Sequence, residues 1–486
     1  GGSYHAAMAH PTELDADALS RAIHARELSC REVMQAYLLR IDRLNPPFNA
    51  IVNLAPHEEL IVQADARDEE LARGQSRGWM HGMPQAIKDT AHAMGFPTTM
   101  GSRILEHAMP ATDSLYVARM KAAGCIVIGK TNMPEFGLGS HTFNDLFGPT
   151  GNAWDPERSA GGSSGGAAVA LAHRLLPVAD GSDFMGSLRN PAAWNNIFGL
   201  RPSQGRVPGW PKPELWVSQL ATDGPMARNA RDLAQLLSVQ AGHDPRVPLS
   251  IAQGPRSFVP AGLAEPGRIR IGWLGDLGGH LATEPGILSV CEQALGTLGA
   301  QGMKVEPLLP GFGPEAVWEA WLVWRRALVA AAVGTVLARP GARETVKPEA
   351  LWEHDSAADL RFSQFMQASQ RRGAFHEHLL GLLERFDVLA LPSAQVWPFD
   401  VRERWPREIA GRSMDTYHRW MEVTLYATFA GLPAISVPAG FGGSGRLPMG
   451  LQFIGKPGGD AELLEFAAIY EQLMSDVIRL RPPEPG

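Results

Sequence analysis

Apolar positions recur along this chain in two rhythms. After Ser29 the residues Val33, Tyr37, Ile41 and Leu44 return every three or four positions, the period of one helix face. Ser29 and Glu32 have the S-x-x-E spacing of a capping box at the start of that helix, the second of two expected near the N-terminus, and Asn45-Pro46-Pro47 is expected to stop it. Short apolar runs follow at 125–128, 175–179, 269–273, 388–391 and 434–437. Each has the length of a buried strand, and helical or Gly/Pro-rich stretches separate them. The alternation predicts an α/β fold, a mixed central β-sheet covered on both faces by helices.

The 52 glycines and 38 prolines concentrate in 137–225 and 436–459, which predicts long shaped loops over the sheet and no hinge linker. Residues 310–385 differ in texture. They read as helical, with Trp318, Trp321 and Trp324 at three-residue spacing, and are expected to form an excursion covering the core. No internal repeat is visible, so 9–486 reads as one domain. Residues 1–8, opening Gly-Gly-Ser-Tyr-His, read as a cloning remnant with Met8 as the natural start.

Composition narrows the function. With 45% apolar and 20% charged residues the chain has ample core material. A net charge of −7 and no lysine- or arginine-rich block argue against nucleic acid as a partner. No run of eighteen apolar residues and no signal-like start are found, so no membrane association is expected and the predicted location is the cytoplasm. Cys30, Cys125 and Cys291 are too few and too scattered for a disulfide or zinc framework and read as reduced core residues. His376 and His378 alternate with Glu377 as on a solvated helix face. Neither a metal nor a cofactor is predicted.

Three glycine motifs compete for the chemistry. Gly124 to Thr131 matches G-x-x-x-x-G-K-[ST] to the letter, but its variable residues are apolar strand formers and Asn132-Met133-Pro134 stands where a phosphate-binding helix should begin. Gly161-Gly162-Ser163-Ser164-Gly165 matches G-x-S-x-G, the nucleophile elbow of α/β-hydrolases, yet the preceding residues are polar and turn-like where an elbow needs a buried strand. An esterase-like reading with Ser163 as nucleophile therefore stands as an alternative. The third motif, Asp183-Phe184-Met185-Gly186-Ser187-Leu188-Arg189, lies 24 residues beyond Ser163.

Together these segments carry a resemblance. GGSSGGAAVALA and GSDFMGSLRNPAA, preceded by HGMPQAIKDT around Lys88, resemble the amidase signature family, whose usual wording is GGSSGG-S/A-A, then G-T-D-x-G-G-S-I-R-x-P-A, with G-x-P-x-x-x-K-D upstream. KTNMPEFGLGS, FGPTGNAWDPERSAGGSSGG, GLRPSQGRV, DGPMARNARDLAQLL and GLQFIGKPGGDAELLEFA are similar to further family landmarks, in the family's order. The likeness spans roughly residues 12 to 475 and is weakest at 240–430, the region that varies with substrate.

The resemblance implies a serine amidohydrolase of the amidase signature fold. A serine hydroxyl must lose its proton as it attacks; by resemblance Ser187 is the nucleophile, Ser163 the proton bridge and Lys88 the base. Lys88 can accept a proton only if neutral, which requires burial to lower its pKa. The family holds Ser163 after a cis bond to Gly162, and its oxyanion donors correspond to the backbone N–H groups of Phe184, Met185, Gly186 and Ser187. Gly162, Ser164, Asp183 and Arg189 are expected in support. Met185 departs from the family's glycine, which puts a side chain in the loop and removes a residue tolerant of positive φ. Met133, Gly137, Trp194, Trp210, Trp216, Trp318 and Trp321 are candidates for lining a substrate pocket. Expected partners are a small-molecule substrate and, at most, a second copy of the chain: a monomer or homodimer. Amide and carbamate (urethanase-like) substrates are not separable by motif, and an A-type amidotransferase component that feeds ammonia to a partner remains the second alternative.

Overall fold

The computed structural model describes residues 10–486, so the expected remnant at 1–8 lies outside the described residues. Among the described residues there are thirteen strands: β1 (Ile51–Val52), β2 (Pro84–Lys88), β3 (Ile126–Thr131), β4 (Ala179–Asp183), β5 (Phe198–Arg201), β6 (Thr222–Ala227), β7 (Arg270–Trp273), β8 (Lys304–Pro307), β9 (Val388–Pro392), β10 (Glu408–Ile409), β11 (Arg412–Ser413), β12 (Ala434–Gly442) and β13 (Leu447–Ile454). Eight of them form one sheet in the order β4-β6-β5-β12-β13-β9-β7-β8, antiparallel from β4 to β9 and parallel across β9-β7-β8. β1, β3 and β2 form a second, small sheet. It meets the edge of the first where the Lys88 N–H donates to Asp180 of β4 (3.1 Å) and the Gln85 amide to the Val178 carbonyl (3.0 Å). The fold is mixed α/β with helices flanking the large sheet, as the alternating pattern predicts.

The expected capping box at Ser29 and Glu32 is present, but the helix runs Cys30–Phe48, through Pro46 and Pro47. Both prolines lie in the last turn, where their φ fits the helix although each lacks the N–H for its own helical bond, and Asn49 closes the helix at φ 56° by donating to the Asn45 carbonyl (2.7 Å). The apolar run at 175–179 also shifts. Arg174 turns the chain at φ 58°, Leu175 to Val178 are buried in the turn, and the strand begins only at Ala179.

Residues 310–385 are helical, as their texture predicts: Pro314–Leu337, Ala342–Thr345, Pro348–Asp355 and Phe362–Arg385. By length and composition alone Pro314–Leu337 could cross a membrane. In this fold it packs against the helices that follow it, burying Trp318, Trp321, Trp324 and the charged Arg325. Cys30, Cys125 and Cys291 are buried and unpaired, and His376 and His378 bond the separate carbonyls of Ala430 and Pro310.

Candidate active site

The site forms where the small sheet meets the edge of the large one. β2 ends at Lys88, whose side chain is fully buried. β4 presents Asp180 and Ser182 on one face, two residues apart as the strand period requires, and both reach Lys88. The ammonium position is defined by hydroxyls: Nζ lies 2.6 Å from Ser163 Oγ, 2.9 Å from Ser164 Oγ and 2.9 Å from Ser182 Oγ. Burial drives the Lys88 pKa down from 10.5 to about 7, against the pull of Asp180, Asp183 and Asp223. Its carboxylate neighbour Asp180 accepts the main-chain N–H of Lys88 and the Tyr116 hydroxyl (2.6 Å), and burial lifts that carboxyl to about 6.

Ser163 follows a cis peptide bond to Gly162, as the resemblance implies. The turn is held from both sides, since Gly162 N–H donates to Asn190 Oδ1 (3.2 Å) and the Thr142 hydroxyl donates to the Gly161 carbonyl (2.7 Å). No strand precedes it. Ser164 opens the small-residue helix Gly165–Ala172 and donates its N–H to the Ser187 carbonyl (3.3 Å), which brings Ser187 beside the Ser163 turn. Met133 and Gly137 border the same spot: a Cβ at Gly137 would sit 3.6 Å from Met133 Cε and 3.7 Å from Ser163 Oγ.

The loop 184–187 is braced from behind by Asp183. Its carboxylate accepts Gly186 N–H (3.0 Å), Leu188 N–H (3.2 Å), Arg189 Nε and Nη2 (3.0 Å each) and Arg201 Nη1 (3.2 Å). Burial alone would raise this carboxyl, but the two guanidiniums outweigh it and hold the group well below the usual carboxylate range. Arg189 reaches on to Gln452 (2.7 Å), so Asp183 and Arg189, two of the expected supporting residues, lie in one buried network. Gly186, at φ +91°, carries the loop's left-handed turn, and a Cβ there would approach Thr424 within 2.6 Å. The concern about positive φ at Met185 is thereby removed, because that conformation falls on Gly186. Of the four N–H groups in the expected donor set, that of Gly186 is committed to Asp183, while those of Phe184, Met185 and Ser187 make no main-chain bond of this kind.

The expected aromatic pocket is largely dispersed. Trp194 is core, stacked on Trp420 at 5.9 Å with its indole N–H on the Val396 carbonyl. Trp318 is buried beneath Arg419, Trp210 carries Arg246 on its face at 3.9 Å, and Trp216 is 67% exposed on the surface. Only Trp321 reaches the loop, edge-on to Phe184 at 5.7 Å. A small apolar cluster separate from the main core does adjoin the site instead. It joins Phe136, Leu138 and Phe184 to Val329 and Val333 of the long helix and to Tyr417. Apart from Phe184, expected above for its main-chain N–H, these residues escaped sequence reading because they come from distant segments with no common period. Ser182 was legible in principle as a hydroxyl two residues after Asp180 on a strand. The P-loop-like segment is strand β3, with Lys130 buried against Asp89 at 2.9 Å. A separate 760 Å³ cleft, lined by Arg158, Glu284, Trp397 and Gly442–Gly445 among others, shares no residue with the lysine–serine cluster.

Chemically, the cluster offers a hydroxyl beside a buried amine whose pKa burial lowers to about 7, with the loop 184–187 tied to it through the Ser164 N–H bond to the Ser187 carbonyl. Comparison with known proteins agrees. A family model described as Amidase matches residues 32–464. The chain is 32% identical to an acylamidase of Rhodococcus erythropolis over 462 residues, covering 94% of this chain and 95% of that protein. It is 36% identical to a glutamyl-tRNA(Gln) amidotransferase subunit of Thermus thermophilus, covering 93% and 97%. A crystal structure of a bacterial aryl acylamidase of the amidase signature enzymes superposes with a TM-score of 0.89 at 28% identity, covering 97% of this chain and 99% of the other.

Proposed function

We propose, from the premise that this chain belongs to the amidase signature family, that it hydrolyses amide-type bonds through an acyl-enzyme on Ser187. Ser187 Oγ attacks the carbonyl carbon, and its proton passes through Ser163 to the neutral Lys88 amine. The carbonyl oxygen becomes an oxyanion facing the amides of Phe184, Met185 and Ser187. As the C–N bond breaks, the proton returns by the same route to the leaving nitrogen. Water then repeats the sequence on the acyl-enzyme and releases the acid. The observation that carries this reading is the buried Lys88, bonded to three serine hydroxyls and with its pKa lowered to about 7. A lysine kept as a structural cation would be expected to face a carboxylate, as Lys130 faces Asp89.

Fluorophosphonate treatment followed by peptide mapping should place the adduct on Ser187; an adduct on Ser163 alone would favour the elbow reading. For the substrate we infer an aryl or other apolar group beside a small acyl or carbamoyl carbon. The support is the apolar cluster of Phe136, Phe184, Val329, Val333 and Tyr417 next to the loop, in the place where the dispersed tryptophans were expected. A buried ring contributes roughly 1.5–3 kcal/mol, one to two decades in kcat/KM if expressed in the transition state. p-Nitroacetanilide and a phenyl carbamate should therefore exceed acetamide and propionamide in kcat/KM, and equal or better turnover of the aliphatic amides would refute the apolar site. A second reading, the ammonia-supplying component of an amidotransferase, is favoured by the 36% identity to the Thermus thermophilus protein. Hydrolysis of anilides by the purified chain with no partner would set it aside.

A further inference from the structure

The helix Pro314–Leu337 places one charged side chain against the loop 184–187. Arg325 is buried, with its side chain 3% exposed, and its ion-pair partner Glu353 is wholly buried. Nε donates to Glu353 Oε1 (3.0 Å) and Nη2 to the Tyr417 hydroxyl (2.8 Å), which itself donates to Glu353 Oε1 (2.7 Å). A carboxylate and a phenol thus fix one edge of the planar guanidinium, and with it the direction of the other. That other edge points at the loop: Nη1 lies 3.7 Å from Met185 Sδ, and the guanidinium carbon lies 5.5 Å from the centre of the Phe184 ring.

A thioether is a weak acceptor and does not compensate a desolvated guanidinium. An apolar side chain of similar volume would fill this position with less desolvation, so the ion pair has no advantage as packing alone. What it does supply is a rigid clamp. Met185 is held at its carbonyl by the Thr424 hydroxyl (2.9 Å) and at its sulfur by Arg325, while Phe184 is wedged between Arg325 and Trp321. We propose that Arg325 is a positioning residue for the oxyanion loop, acting through Met185 and Phe184. Met185 and Arg325 then form a matched pair: the side chain that replaces the family's glycine is the one the variable helix grips. This inference rests on the proposed role of the Phe184, Met185 and Ser187 amides.

The test uses the full chain with p-nitroacetanilide as substrate, a fluorophosphonate probe, and a phenyl trifluoromethyl ketone as a tetrahedral-adduct mimic. Arg325→Met is combined with Glu353→Gln so that no buried charge is left unpaired, and Arg325→Lys and Met185→Gly are made alongside in case the double variant fails to fold. Loosened donors should lower kcat by about tenfold to a hundredfold, below the loss seen when a donor is removed outright. KM should stay within about twofold, affinity for the ketone should fall in step with kcat/KM, and the acid limb of the pH profile should not move. Met185→Gly and the Arg325/Glu353 double change should be non-additive, because each removes the same contact. The inference is overturned if folded variants keep wild-type kcat and labelling rate, if KM alone rises, or if the acid limb shifts. Labelling of the wild type at Ser187 separates the two claims: with that adduct present and turnover of the variants normal, only the role of Arg325 fails, whereas its absence removes the nucleophile assignment itself.

Discussion

Replacing Lys88 by methionine should cut turnover by a factor on the order of 10² or more and yet stabilise the protein at acid pH. The folded-state pKa of about 7, against 10.5 for a solvated lysine, makes the neutral amine roughly 10³-fold more abundant at pH 7 than it would be in water. The same difference costs stability. Because the native state sheds its proton first, stability rises with pH between about 7 and 10.5, and the full penalty of roughly 5 kcal/mol is present below 7. At pH 9 roughly 2 kcal/mol of it remains. Lys88→Met removes the penalty and also the bonds to the Ser163, Ser164 and Ser182 hydroxyls, each worth about 1 kcal/mol. The variant should thus be more stable than wild type by roughly 2 kcal/mol at pH 6 and less stable by about 1 kcal/mol at pH 9, a swing of about 3 kcal/mol. For a chain of 486 residues that swing is about 3 °C in Tm. Differential scanning calorimetry of both proteins at pH 6 and pH 9 measures it, and kcat/KM of the wild type from pH 5 to 9 should rise with unit slope to a bend near 7. The variant should lose a factor on the order of 10² or more in kcat/KM. A pH-independent stability difference, or a wild-type profile flat through pH 7, would refute the argument that Lys88 is held neutral.

Asp180→Asn removes the first of the charges that hold the Lys88 pKa up, so the acid limb should move to lower pH; an upward or absent shift in the kcat/KM profile would count against that electrostatic account. Gly186→Ala puts a Cβ 2.6 Å from Thr424 at φ +91°, and kcat should fall by about 10² or more, with Thr424→Ser restoring little because the backbone conformation remains unfavourable. Arg189→Met leaves Asp183 with one of its two guanidiniums and should cost about 3–5 kcal/mol, read as a drop in the denaturation midpoint. Trp216→Ala, at an indole that is 67% exposed, should change kcat/KM by less than about twofold and stability by less than about 0.5 kcal/mol.

Legibility in the sequence followed the range of the interaction. The capping box at Ser29 and the strands around 126–131, 270–273 and 388–392 depend on neighbours in the chain, and their patterns were visible. β6 was not, because Thr222-Asp223-Gly224-Pro225 carries no apolar run; its place is set by pairing with β4, Ser182 opposite Asp223. The helix end at Phe48 lies past the expected stop because proline's φ fits a helix and the Asn49 N–H bond to the Asn45 carbonyl closes it beyond both prolines. At the site, the family resemblance carried by the three motifs pointed to Lys88, Ser163 and Ser187, whereas Arg325, Glu353 and Tyr417 meet only through folding of the variable region. Trp194, Trp318 and Trp216 show the converse: residue type suggested a pocket, and packing decided otherwise.

The brace behind the loop 184–187 has a consequence for how such a protein can change. Asp183 fixes the loop through the amides of Gly186 and Leu188 and through Arg189 and Arg201, none of which involves the side chain at 184 or 185. The backbone path of the loop is therefore set by atoms outside positions 184 and 185, while the side chains at those two positions are gripped by the variable helix through Arg325 and Trp321. A change at 185 has then to be matched by a change at 325, and the mutational route by which this scaffold acquires new acyl preferences runs through that pair, with the brace left alone.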